Sequence, residues 1–141
     1  MQPKISDRAF TLSNPSGLYD PTVHAYTHVA EVPPNTRIVQ LAGQVGYDKD
    51  GNLAPSFAAQ TRQAFDNIEI ALSSVNATLK DVYKLTVLVV DHSEARLKEW
   101  QTEANRVWPA HPPTGTLIPV PRLAVDGLLV EIEVVAAQRV A

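Results

Sequence analysis

Cysteine is absent from the 141 residues. That excludes a disulfide framework, a thiolate zinc site and a cysteine nucleophile. Long apolar runs are also missing, and nothing approaches the roughly 18 consecutive apolar residues of a membrane-spanning helix. The first twenty residues lack the apolar core of about 7–15 residues that marks a secretory signal. The expectation is a soluble, cytoplasmic protein with no membrane partner. There is no basic excess either: 12 Lys and Arg stand against 15 Asp and Glu, for a net charge of -3. The basic residues are scattered along the chain, whereas phosphate-binding proteins gather them on one face, so nucleic acid is a poor match as a partner. No Gly-rich phosphate loop, Ser-His-Asp arrangement or internal repeat is visible. No cofactor is called for.

What remains is ordinary globular material, 45% apolar and 19% charged, in a length that suits one domain with its own core. Residues 1–22 hold Pro3, Asn14, Pro15, Gly17, Asp20 and Pro21 without a period, and read as an extended arm with turns before a single domain at 23–141. The alternation over residues 24–32 suits a strand, Pro33-Pro34-Asn35 breaks it, and a second strand at 37–46 implies a hairpin. Asp48, Asp50, Gly51 and Asn52 make a turn. A calcium loop does not fit, because the glycine falls too early and the twelfth position from Asp48 is Ala59.

Pro55 or Ser56 opens a helix whose Phe57, Thr61, Ala64, Phe65, Ile68, Leu72 and Val75 form one stripe, with Arg62, Asp66 and Glu69 outside and a stop near Asn76. Residues 82–90 are nearly apolar on both faces towards their end and belong in the middle of a sheet. A second helix spans 91–107, capped by Ser93, with Leu97, Trp100, Ala104 and Val107 inward. A strand at 116–120 must have an edge on one side or end there, because Pro119 and Pro121 remove two amide donors that point the same way. The last strand, 128–137, turns Val130, Ile132 and Val134 to one face and Glu131 and Glu133 to the other. The order β-β-α-β-α-β-β defines an α+β domain with one mixed sheet and two helices on one face. The other face needs a cover, and self-association is the simplest one.

Several segments resemble the Rid (YjgF) family of small enamine/imine deaminases. They are Ala42-Gly43-Gln44-Val45 with Asp50-Gly51-Asn52-Leu53, the run Ala58 to Gln63 with Asp66-Asn67-Ile68, the run Asp81 to Val87 ending at Asp91, and Glu131-Ile132-Glu133. The resemblance runs from about Tyr26 to Ala137. It implies a chorismate-mutase-like fold and a homotrimer with clefts for a small metabolite between subunits. It also implies a site. Glu131 matches the carboxylate thought to hold or activate the attacking water, Tyr26 a pocket tyrosine, and Gly43 a stretch of backbone at the cleft. Ala42 replaces a small hydroxyl residue, and Leu117 sits where some members carry Cys. The Arg that grips a substrate carboxylate in deaminating members is replaced by Gly115, and no Arg or Lys lies between Pro109 and Pro121. The Asn of the family's second helix aligns with Glu99 or Trp100.

The implied activity is hydrolysis of an enamine or imine to a carbonyl and ammonia, on a substrate less dependent on an α-carboxylate. A non-catalytic ligand-binding or regulatory protein on the same scaffold is the alternative, and RNA cleavage, assigned to some members, comes third. Each residue also has a plainer role available. Glu131 can pair with a cation across the trimer and Tyr26 can pack at an interface. Thr114 and Thr116 are candidates to replace some of the polarity lost beside Gly115, substrate-binding in the case of Thr116, and can equally satisfy backbone. His24 and His28 on a strand would lie about 13 Å apart, too far for one ion. His111 adds no helical ligand pair, so no metal is expected. Trp100 and Trp108 read as core.

Overall fold

A computed structural model describes residues 8–140. Each helix begins where a serine can satisfy free amides. Ser56 accepts from the Ala59 N–H ahead of α1 (Phe57–Ser73), and Ser93 accepts from the Arg96 N–H ahead of α2 (Glu94–Val107). Beyond α1, Asn76 takes a φ of 60° and the Ala77 N–H returns to the Leu72 carbonyl, closing the helix as the sequence suggests. Val75, placed in the buried stripe by its spacing, is 37% exposed, because the helix ends before reaching it.

Among the described residues, six strands accompany the helices: β1 (Thr11–Ser13), β2 (Val29–Glu31), β3 (Thr36–Gln40), β4 (Val82–Val90), β5 (Thr114–Val120) and β6 (Val130–Arg139). Four of them form a mixed sheet in the order β3-β6-β4-β5, with only β4 and β5 parallel. The nearly apolar β4 is central and the proline-bearing β5 is the edge, as their compositions require. The two helices cover one face of this sheet. Phe65 stacks on Trp100 at 5.6 Å and meets Trp108 edge-on, above Val87, Val130 and Ile132. Both tryptophans are buried, and the Trp108 indole donates to the Leu79 carbonyl at 2.9 Å.

The start of the chain differs from its sequence pattern. Residues 24–32 do not form one strand: Pro21–His24 is a short 3-10 helix capped by Asp20, Ala25 turns left-handed at φ 61°, and only β2 is extended. The hairpin with the following strand is absent as well. β2 pairs with β1 in a separate two-stranded sheet, while β3 pairs with β6. Two consecutive prolines supply no amide donors, and Asn35 at φ 64° turns the chain away, so β3 reaches the edge of β6 instead. Part of the second sheet face is covered from within the chain. Ala9 and Phe10 pack on Ala137, with Leu12, Val32 and Tyr83 around them. The remainder, including Leu88 and Ile118, stays open.

One ion-pair cluster ties the helices together. Glu103 on α2, 6% exposed, accepts from Arg62 of α1 and from Arg106. Burial pushes its carboxyl up, but the two guanidinium bonds more than offset this and hold it below its ordinary value of 4.5. A depressed carboxyl stabilises the fold above its unfolded pKa, and that contribution disappears as pH falls through the folded value. Glu103→Gln should therefore lower the unfolding midpoint at pH 7, and the gap should shrink only as pH falls below 4.5 and through the depressed folded value. The effect should be about 1 kcal/mol, since both guanidiniums are half in solvent. Thermal unfolding of both proteins between pH 3 and 8 checks it, and a gap that persists at the acid end would contradict it.

Candidate functional site

Glu131 is carried on β6, where Val130 and Ile132 turn inward and force the carboxylate to the opposite face. It is partly buried and has no hydrogen-bond or ion-pair partner among the described residues. Its neighbour is Gly43. Beyond β3 the chain continues beside β6, with the Gln44 and Ile132 amides and carbonyls exchanging bonds of 2.8 and 2.9 Å. This lays Gly43 under the carboxylate so closely that a Cβ there would collide with the Glu131 side chain, 2.9 Å from its Cδ. Glycine at 43 is thus what allows the carboxylate to rest on backbone. Ala42 is exposed, and its carbonyl accepts from the Gln44 side-chain amide at 3.0 Å. Glu133, on the same face, is exposed.

A cleft of about 340 Å³ lies on the helix side of the sheet, near the β5 edge. Leu85, Val87, Leu97, Trp100 and Leu117 form its apolar wall. Gly115 opens onto it. A Cβ there would sit 3.4 Å from Leu85 Cδ1 and 3.6 Å from Tyr26 Cβ, in ordinary contact. Tyr26 is placed by its neighbour Thr27, whose N–H and hydroxyl donate to the Pro113 and Pro112 carbonyls at 3.0 and 2.5 Å. Tyr19 and His24 complete the rim. Tyr19 joins Tyr26 hydroxyl to hydroxyl, and its backbone carbonyl is bonded to His28 Nε2 at 2.8 Å. Thr116 borders the cleft, but its register opposite Thr86 and Glu133 puts its side chain on the other face. Thr114 satisfies backbone, donating to the Tyr83 carbonyl at 2.8 Å.

The expected site is therefore divided within one chain. Tyr26, Gly115 and Leu117 meet at the cleft, whereas Glu131, Gly43 and Ala42 gather on the reverse of the sheet. His24 and His28 are not two positions of one strand. His24 Nδ1 pairs with the Gln101 amide at 2.9 Å, and His28 packs edge-on against Tyr19 and Tyr26. Among the described residues, no group of three His, Asp or Glu comes together as a metal site. Tyr19 escapes a reading of local periodicity because it lies in a turn-rich segment. An aromatic residue in such a segment is the one signal that could have marked it.

The fold and this pair of surfaces define a small α+β protein with a helix-covered mixed sheet and an apolar cleft at its edge. The family model for endoribonuclease L-PSP matches residues 19–138, and the chain belongs to that family, the Rid/YjgF proteins. It is 35% identical over 97 residues to the RutC family protein YjgH of Escherichia coli, covering 68% of this chain and 72% of that one. It is 31% identical over 108 residues to the 2-iminobutanoate/2-iminopropanoate deaminase of the same organism, covering 72% and 80%. The crystal structure of YyfB from Yersinia pestis, a Rid-family protein of unknown function, superposes with a TM-score of 0.85 at 31% identity, over 91% of this chain and 98% of that one.

Proposed function

We propose that the protein hydrolyses an enamine or imine of a small metabolite, with Glu131 handling the water. The observation that carries this reading is the Glu131 carboxylate itself, partly buried, without a partner among the described residues and resting on Gly43 backbone. A carboxylate so placed takes a proton from water as the oxygen bonds to the C=N carbon and passes that proton to the nitrogen, giving a neutral carbinolamine. Glu131 then takes the carbinolamine hydroxyl proton as the carbonyl forms and gives it to the nitrogen as the C–N bond breaks and ammonia leaves. The similarity to an iminobutanoate deaminase supports the same chemistry.

Because the two half-sites lie on opposite faces, a complete site needs a second copy. In this reading, Glu131 and Gly43 of one copy face the Tyr26–Gly115–Leu117 cleft of the next in a cytoplasmic homotrimer. Residues 23–141 act as one domain, and the preceding segment contributes to the cleft rim through Tyr19. No Lys or Arg lines the cleft, so it offers a phosphodiester nothing to hold.

The missing guanidinium favours a second reading, ligand binding without turnover. Ammonia release from freshly generated imines and enamines, with and without an α-carboxylate, separates the two. Turnover of the carboxylate-free compounds by the wild-type protein is expected. Gly115→Arg has room for its Cβ and should raise the rate on 2-imino acids about 10²-fold by restoring a two-bond clamp. A silent wild-type protein with an active Gly115→Arg variant would establish the binding reading instead.

A further inference from the structure

The cleft joins three features that hydrolysis alone does not require: an uncharged lining, an open place at Gly115, and an exposed aromatic held at the rim. Within one copy, none of the described residues around it is Asp, Glu, Lys or Arg, and His24 at the rim is engaged through Nδ1 by the Gln101 amide. An anionic group entering it would shed water against Leu85, Val87 and Trp100 without gaining a cation, which is unfavourable. An uncharged ring would exchange water for apolar contacts. At Gly115 the side chain is missing, and a ligand can approach the β5 backbone in the space between Leu85 and Tyr26.

Tyr19 is 61% exposed, yet it is not left to move freely. Its ring meets Tyr26 at 6.5 Å and His28 at 5.1 Å, both edge-on, and its hydroxyl and backbone carbonyl are each hydrogen-bonded within this group. A solvent-facing aromatic fastened in this way presents a pre-arranged wall with a polar tip, at little cost in lost rotamers when a ligand arrives.

We propose that the cleft is a receptor for an uncharged, ring-bearing group of the ligand, and that Tyr19 is a specificity-determining residue that closes over that ring. This rests on the reading of the cleft as the substrate half-site, and it names the class of group that enters it. The rim hydroxyls of Tyr19 and Tyr26 recognise one polar atom on the ring substituent. The volume, about 340 Å³, accommodates one substituted ring.

The test uses benzamide and benzoate, which share a ring and differ in charge, titrated into the isotopically labelled full-length protein and followed by NMR. Benzamide should move the Trp100 indole N–H signal and bind in the millimolar range, at least about tenfold more tightly than benzoate. Tyr19→Ala, which removes no core contact, should weaken benzamide about three- to tenfold, and Tyr19→Phe should restore most of that loss. Equal affinity for the two probes, no response at Trp100, or an unchanged Tyr19→Ala variant would overturn the proposal. The hydrolytic reading fails separately. Selective benzamide binding without any ammonia release would leave the receptor standing and remove the reaction. Turnover lost in Glu131→Gln without benzamide binding would do the reverse.

Discussion

Glu131→Gln is expected to lower kcat for imine hydrolysis about 10²- to 10⁴-fold while leaving KM little changed. Glutamine keeps the length and planarity of the side chain and can still rest over Gly43, so the shape of the site survives. What it loses is the capacity to take a proton. Water is a weak nucleophile at neutral pH, and without a base the oxygen must develop positive charge as it adds to the C=N carbon. The amide also cannot return a proton when ammonia leaves, so both halves of the reaction are slowed. Single-turnover ammonia release for both proteins checks this. A variant within twofold of wild type would remove Glu131 from the chemistry. It would return the residue to its plainer role as an ion-pair partner between copies.

Gln60→Ala should lower stability by about 2–4 kcal/mol, the largest effect expected of a single side chain outside the apolar core. Gln60 is 2% exposed at the start of α1. Its amide nitrogen donates to the Ala54 and Gly127 carbonyls, both at 3.1 Å, and its oxygen accepts from the Leu129 N–H at 2.8 Å. One side chain thus ties the turn just before α1 to the segment from Gly127 to Leu129 that leads into β6. Truncation leaves three backbone groups short of partners and opens a void among them. Denaturant unfolding at constant protein concentration measures the loss, and an unchanged midpoint would contradict the account. Because the approach to β6 leads directly to Glu131, the variant should also reduce turnover in the protein that remains folded.

Much of this molecule can be read locally. Helix α1 announces itself through Ser56, the apolar stripe from Phe57 to Leu72 and Asn76, because caps and a 3.6-residue period act over neighbouring residues only. The same holds for β4, whose Leu85, Val87 and Val89 have to be covered, and for Pro119 on the β5 edge. The turn at Asp48 is equally local. Its carboxylate accepts the Asn52 and Asp50 amides at 2.9 Å and closes on itself, with Gly51 at φ 81°. The lack of any Lys or Arg between Pro109 and Pro121, the stretch where the resemblance implies a clamp arginine, is visible in the letters alone.

Strand partnership is not local. The alternation at residues 24–32 is compatible with a strand, but a left-handed residue at Ala25 and bonds from Thr27 to Pro112 and Pro113, more than eighty positions away, outweigh it. The same alternation leaves open whether β3 takes β2 or β6 as its neighbour, since both offer a free edge and the choice depends on where Pro33, Pro34 and Asn35 turn the chain.

Composition and period were enough for the helices and the central strand, and the resemblance of short segments supplied the family and the candidate residues one by one. Only folding in three dimensions put Glu131 and Gly115 on opposite faces of the sheet and brought Tyr19 to the cleft rim. The physical reason lies in parity. The face on which a strand residue appears depends on its register with distant partners, and a shift of one residue reverses it. That register is set by which strands bury the most surface together, a sum over the whole chain that no window of neighbouring residues contains.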